Sequence, residues 1–247
     1  MSTVIDALKR YLARKEDIDL PAGNQPFVTL TRLDGLTSHE LARAIVAQLD
    51  DLPDKGWNHG WELIDQQLCA WLVRSGNVPV SFDAMLAEKY GEGKLRQMFY
   101  EMLVGASEQH ELCRKVGDVT RFLLKTGGVV VIGSAAAPEA VTLKGPGVRV
   151  RLLASEATRV ARMSAAENLT PDAARKQLHE LDANRGRMTR EYYRREIDDP
   201  SLYDVTFFAD RLTTKEMARA IVELLHARMT AHAKPQPLST TQVISLA

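Results

Sequence analysis

Apolar positions along the chain fall into two patterns: short β-prone runs, and longer stretches repeating every three to four residues. Four short runs read as strands. Phe27 to Leu30, within "PFVTL", lies between Pro26 and Gly35. "GGVVVIG", Gly127 to Gly133, is the strongest, and its unbroken β-branched run predicts a strand buried on both faces. "VRVRLLA" (Val148 to Ala154) is a third, and "DVTFFAD" (Asp204 to Asp210) a last. Between them, His39 to Leu49 places Leu41, Ala44, Ile45 and Leu49 on one side of a helix. "WELIDQQLCAWLV" (Trp61 to Val73) reads as another amphipathic helix, and Ser81 to Val104 and Glu108 to Lys125 as polar-patterned ones. Glu156 to Glu167 and Pro171 to Arg195 are charged helices, and Thr213 to Met229 a last helix with Thr213 as its cap.

Strands alternating with helices predict an α/β fold, a three-layer α/β/α sandwich around a parallel sheet. Val4, Leu8 and Leu12 suggest a short helix within an N-terminal segment, 1–25, that ends in a charged linker. The main domain is then 26–230, and the tail 231–247 is expected to be disordered. Ligands of such sheets sit at the carboxyl ends of the strands, where Arg32–His39 and Gly133–Ala136 fall.

Charge narrows the partners. Lys+Arg and Asp+Glu are 32 each, so no global field draws the chain to nucleic acid or an anionic membrane, and neither is expected as a partner. The two cysteines, Cys69 and Cys113, show no ligand spacing and suit a reducing compartment. No run approaches the roughly 18–20 apolar residues of a membrane span, and the first residues do not read as a secretory signal. A cytoplasmic location is the expectation.

The most suggestive stretch is "TRLDGLTSHELARAIVAQL", Thr31 to Leu49, where a strand, a tight turn and an amphipathic helix follow one another. That layout aims main-chain N–H groups and a helix N-terminus at one spot, as anion-binding loops do. Of the usual glycines only Gly35 is present. The pattern G-x-x-x-x-G-K-[ST] is absent; "GEGK" at Gly91–Lys94 has Glu88 in the first glycine's place and follows a predicted helix. Three "HEL" triplets, at His39, His110 and His179, lack the second histidine of a zinc-protease helix, so no metal-ligating residues are expected.

Five segments in order resemble the cytidylate kinase-like family, relatives of cytidylate kinases within the P-loop nucleoside monophosphate kinases. They are "PFVTLTRLDGLTSHELARAIVAQL", "WELIDQQLCAWLV", "GGVVVIGSAAA", "VRVRLLASEATRVARM" and "LDANRGRMTREYYRREIDDPSLYDVTFFADRLT". The last is the most specific, matching D-x-x-R and then D-x-P-S-x-Y-D at fixed offsets. The resemblance implies a P-loop kinase-like fold with an arginine-bearing helical lid at about 156–197. It also implies transfer of the γ-phosphoryl of ATP to a nucleoside monophosphate, CMP in that family, with Mg2+.

By resemblance, Arg32, Gly35, Thr37, Ser38 and His39 would hold ATP. The family's two later glycines fall on Thr37 and Ser38, and His39 takes a place that true kinases give to a small residue or a hydroxyl near magnesium. Asp65, Gly133 and Ser134 would meet the acceptor, Ser134 standing where an arginine usually grips its phosphate. Arg159, Arg162, Asp182, Arg185 and Arg190 would be catalytic, the arginines stabilising the transferring group. Each has a plainer reading: a β–turn–α with an N-cap at Thr37 or Ser38, a solvated aspartate on a helix face at Asp65, and surface pairing of the arginines with Glu180, Glu191 and Glu196. Two functional readings stay open, an active kinase and a kinase-derived nucleotide-binding or regulatory protein with little turnover. A scaffold whose N-terminal helix and C-terminal tail bind a protein partner of unknown kind is a third.

Overall fold

A computed structural model describes residues 25–36, 38–65 and 108–233. The predicted N-terminal helix, the helix at Ser81 to Val104, the "GEGK" turn, the tail and Thr37 lie outside them. Five strands form one parallel sheet: β1 (Phe27–Arg32), β2 (Glu62–Asp65), β3 (Val129–Ile132), β4 (Gly147–Leu153) and β5 (Val205–Phe208). Their spatial order is β2-β3-β1-β4-β5, which puts β1 in the centre. Among the described residues the helices are α1 (Ser38–Asp50), α2 (Glu108–Thr126), α3 (Ala136–Ala140), α4 (Glu156–Glu167), α5 (Pro171–Tyr193) and α6 (Thr214–Ala233).

Side chains alternate across each strand, and that alternation builds two layers of core. Val28, Leu30, Val130, Ile132, Val148, Val150 and Leu152 point to one face, where Leu41, Ile45 and Leu49 of α1 and Ile221 and Leu225 of α6 meet them. Arg149 points the other way, and its Nη2 donates to the carbonyl of Ala140 at the end of α3 (3.1 Å). Helices α2 and α3 cover this second face. All four residues of β3 are fully buried, as its continuous apolar run requires.

One expected element changes type. The stretch from Trp61 does not begin a helix: Glu62–Asp65 is extended and pairs in parallel with β3, Glu62 opposite Val129 and Asp65 opposite Ile132. The Glu62 N–H starts this ladder on the Gly128 carbonyl (3.0 Å). A buried strand flank presents main-chain groups that must be paired, and that demand overrides a local helical repeat. Asp65 therefore ends a strand rather than lying on a helix face, while the rest of the predicted helix, from residue 66 on, lies outside the described residues.

The helix starts follow the sequence closely. Thr213 Oγ1 accepts from the Glu216 N–H (3.3 Å) while Glu216 reaches back to the Thr213 N–H (2.8 Å), a reciprocal cap for α6. Ser155 and Thr170 cap α4 and α5 by accepting from the Thr158 and Ala173 N–H groups, with Pro171 in the first turn of α5. Those two helices form an antiparallel hairpin with its own small core of Val160, Met163, Ala174 and Leu178.

Candidate phosphate-loop site

β1, β2 and β3 end at one edge of the sheet, so Arg32, Asp65 and the Gly133–Ser134 turn are brought to the same region. The Gly133 N–H continues the ladder onto Leu30 (3.0 Å), and Thr31 Oγ1 donates to the Gly133 carbonyl (3.2 Å). His39, in the first turn of α1, sets Nε2 3.0 Å from Asp65 Oδ2 and stays 45% exposed, so its ring turns towards β2 rather than into the loop.

What fills the loop comes from the α4–α5 hairpin. Asp182 Oδ1 accepts from the Asp34 N–H (3.1 Å), and its Oδ2 pairs with Arg159 Nη1. The same guanidinium reaches the Asp34 carbonyl (3.4 Å). Arg185 donates from Nη2 to Asp34 Oδ1 (2.6 Å) and from Nη1 to the Arg32 carbonyl (3.1 Å). Two arginines and two aspartates thus form a closed, charge-balanced ring over the loop. Burial pushes the Asp34 carboxyl above the usual carboxylate range, against the pull of Arg185. Burial, helped by the charge of Arg185, lowers the Arg32 guanidinium, with Asp65 and Asp34 opposing.

Gly35 keeps its place for a reason other than phosphate approach. Its φ is +78°, and a Cβ there would lie 2.9 Å from the Arg159 carbonyl oxygen. The main chain of α4 therefore occupies the space above this glycine. Ser38, the first residue of α1, is fully buried, and its hydroxyl has no hydrogen-bond partner among the described residues.

The other predicted residues are dispersed. Arg159 and Arg162 part company: Arg159 is buried in the ring, whereas Arg162 is exposed and lines a shallow cleft with Leu36, Glu40 and Leu212. Arg190 faces outward in a two-point pair with Glu196 (2.6 and 2.8 Å), one of the surface pairings its charge pattern allows. Ser134 is half-buried at the end of β3, beside α3.

Sequence reasoning passed over two residues that organise this region. Asp34 is one; an acid just before the retained glycine of an anion loop is the signal that marks it. Asp210 is the other, at the end of the most specific family segment. It accepts from the Ser155 N–H (2.8 Å), from Ser155 Oγ (2.7 Å) and from Thr158 Oγ1, clamping the start of α4. These bonds, the Thr158 hydroxyl first, hold its carboxyl down to about 2. A folded pKa below the ordinary 3.8 adds stability that is present above that value and lost as pH falls towards about 2. The melting temperature of the wild type is therefore expected to drop more steeply between pH 4 and pH 2 than that of Asp210→Asn, followed by circular dichroism. Parallel curves would contradict the clamp.

A sequence model of the cytidylate kinase-like family matches residues 57–211, more than half of the chain. The chain belongs to the cytidylate kinase-like family. Its match begins after β1 and the loop, and it includes Asp65, β3, β4 and the whole α4–α5 hairpin. Among solved structures, an uncharacterized protein from Eubacterium ventriosum ATCC 27560 is similar over 82% of this chain and 99% of its own, with a TM-score of 0.58 and 11% identity. A shikimate kinase from Bacteroides thetaiotaomicron is similar over 83% and 98%, with a TM-score of 0.42 and 14% identity. No curated protein matches. The parallel sheet with β1 central and the family together make the fold P-loop kinase-like.

The family implies a nucleotide and a metal ion, and the loop can be tested for both. The Asp34 amide already holds a carboxylate, and α4 covers Gly35. Asp34 and Asp182 each face a guanidinium, and among the described residues no group of three His, Cys, Asp or Glu converges. In this closed arrangement a triphosphate could reach the Asp34 amide only if the ring opened, and no cluster among the described residues stands ready for Mg2+. Nor is any described helix long and apolar enough to cross a membrane.

Proposed function

We propose that this member of the cytidylate kinase-like family is a nucleotide-binding or regulatory protein with little or no phosphoryl transfer. One observation carries the reading: Arg159 and Arg185, the two cations the hairpin brings to the loop, are each neutralised by a carboxylate of the same chain. Phosphoryl transfer depends on positioned donors that are free to meet developing charge. Loss of a single such donor lowers turnover by about 10²–10³-fold. Ser38, on the place of a family glycine, and Ser134, where an arginine usually grips the acceptor phosphate, add to this.

The rival reading is an active kinase passing the γ-phosphoryl of ATP to CMP with Mg2+. It draws on the same hairpin, which does place two arginines over the loop, and it requires both ion pairs to break in each cycle.

The two separate in one pair of assays on purified protein. Calorimetry is expected to register ATP binding, and ATP with CMP and Mg2+ is expected to release no ADP above background. Steady ADP release dependent on CMP would establish the kinase. Absence of any heat with ATP, CMP or both would remove the nucleotide from the account. The expected setting is cytoplasmic, with the nucleotide as the partner.

A further inference from the structure

We infer that Asp34 and Asp182 are a carboxylate latch on the loop, so that the ligand it takes is a polyphosphate chain which must displace both acids. The ligand class rests on the nucleotide-binding reading; the latch itself rests on geometry. Three donors at the loop face acids of the chain's own: the Asp34 amide and Arg159 face Asp182, and Arg185 faces Asp34. Asp182 does with its two oxygens what one phosphate group does, touching a main-chain amide with one and a guanidinium with the other.

A second observation points to the same place. The Ser38 hydroxyl is buried and has no hydrogen-bond partner among the described residues. A buried hydroxyl in the first turn of α1, where helix amides carry partial positive charge, is a donor with nothing to donate to. An anion seated there would satisfy it.

Opening is coupled to movement of the hairpin. Asp34 belongs to the loop and Asp182 to α5, and each bonds across to the other element. A ligand that enters must part α5 from the loop, which frees Arg185 from Asp34 and the Asp34 amide from Asp182; Arg159 is freed only when Asp182 also turns away from it within the hairpin. The ring then changes from charge-balanced to doubly positive if both acids turn away.

The test uses the full chain with inorganic tripolyphosphate and ATP as separate calorimetric titrants, on wild type, Asp34→Asn and Asp182→Asn. Each variant removes one charge from the ring, and affinity for tripolyphosphate is expected to rise about tenfold or more, the worth of one charged hydrogen bond. The α5 amides are expected to exchange faster with deuterium in both variants. If both bind tripolyphosphate tightly but ATP not at all, the latch holds and the nucleotide reading fails. Should wild type bind ATP while both variants match its affinities, the nucleotide reading survives and the latch is overturned. Silence from all three proteins towards both titrants overturns the two together. Should one variant fail to fold, the other decides alone.

Discussion

Replacing Gly147 with alanine is expected to lower stability by about 3 kcal/mol, at the upper end of what overpacking a core costs. Gly147 opens β4 and sits opposite Phe27 of β1 in the ladder. A Cβ there would fall among the ring atoms of Phe27, far inside van der Waals contact. The ring is 1% exposed, so moving it aside would disturb closely packed neighbours. Gly→Ala also restricts the unfolded chain, which returns about 0.4–1 kcal/mol, so the clash dominates. The substitution would disturb the Gly147 carbonyl too, which accepts from Arg228 Nη1. Urea denaturation of wild type, Gly147→Ala, Phe27→Leu and the double variant closes the cycle. Phe27→Leu alone should destabilise by leaving a cavity, yet in the Gly147→Ala background it should recover stability. Strictly additive losses would mean that the ring and the glycine do not share the space.

The sheet was legible where a strand is buried on both faces. β3 announces itself in "VVVI", because a central parallel strand buried on both faces needs no polar residue, and β4 in "VRVRLL", where core-facing Val148, Val150 and Leu152 alternate with Arg149 and Arg151. β2 was not, since Glu62–Asp65 is four residues long and Trp61, Ile64 and Leu68 happen to keep helical spacing. Its conformation is decided by the flank of β3, which no local pattern contains. α3 escaped for a similar reason: Ala136–Ala140 is five residues with Pro138 among them, too short to show a period.

At the site, resemblance named the arginines and Asp182, but neither Asp34 nor the pairing of each arginine with an acid. Arg185 and Asp34 are 151 residues apart, so their ion pair has no trace in spacing. Arg159 and Arg162, named together as catalytic, lie three residues apart on α4, which falls short of a full turn by about 60°. At the rim of an interface that angle separates a buried guanidinium from an exposed one. The question raised by the single glycine of the loop has a structural answer as well, since Gly35 admits the α4 main chain.

Arg159→Ala is expected to lose about 2–3 kcal/mol and to loosen the hairpin more than the sheet. Its side chain is 8% exposed and holds both Asp182 and the Asp34 carbonyl. Breaking a buried pair from one side costs about 3–5 kcal/mol, because the remaining charge is stranded. Asp182 is 22% exposed and keeps the Asp34 amide, so water and that bond recover part of the loss. Arg151 supplies the contrast. It is more deeply buried, yet its partner Asp198 is 78% exposed, so Arg151→Met leaves no charge stranded. Methionine would also keep apolar volume near the Tyr203 ring, which Arg151 now overlies at 5.7 Å. That variant is expected to stay within about 1 kcal/mol of wild type, since a solvated acid needs no buried partner. Hydrogen exchange distinguishes the mechanisms: Arg159→Ala should speed exchange in α4 and α5 while β3 stays protected, and Arg151→Met should change neither. Equal losses in both variants would show that burial of the guanidinium, and not the fate of the acid it leaves behind, sets the energetics of the hairpin. The ring proposed as a latch would then contribute nothing specific to the closed position.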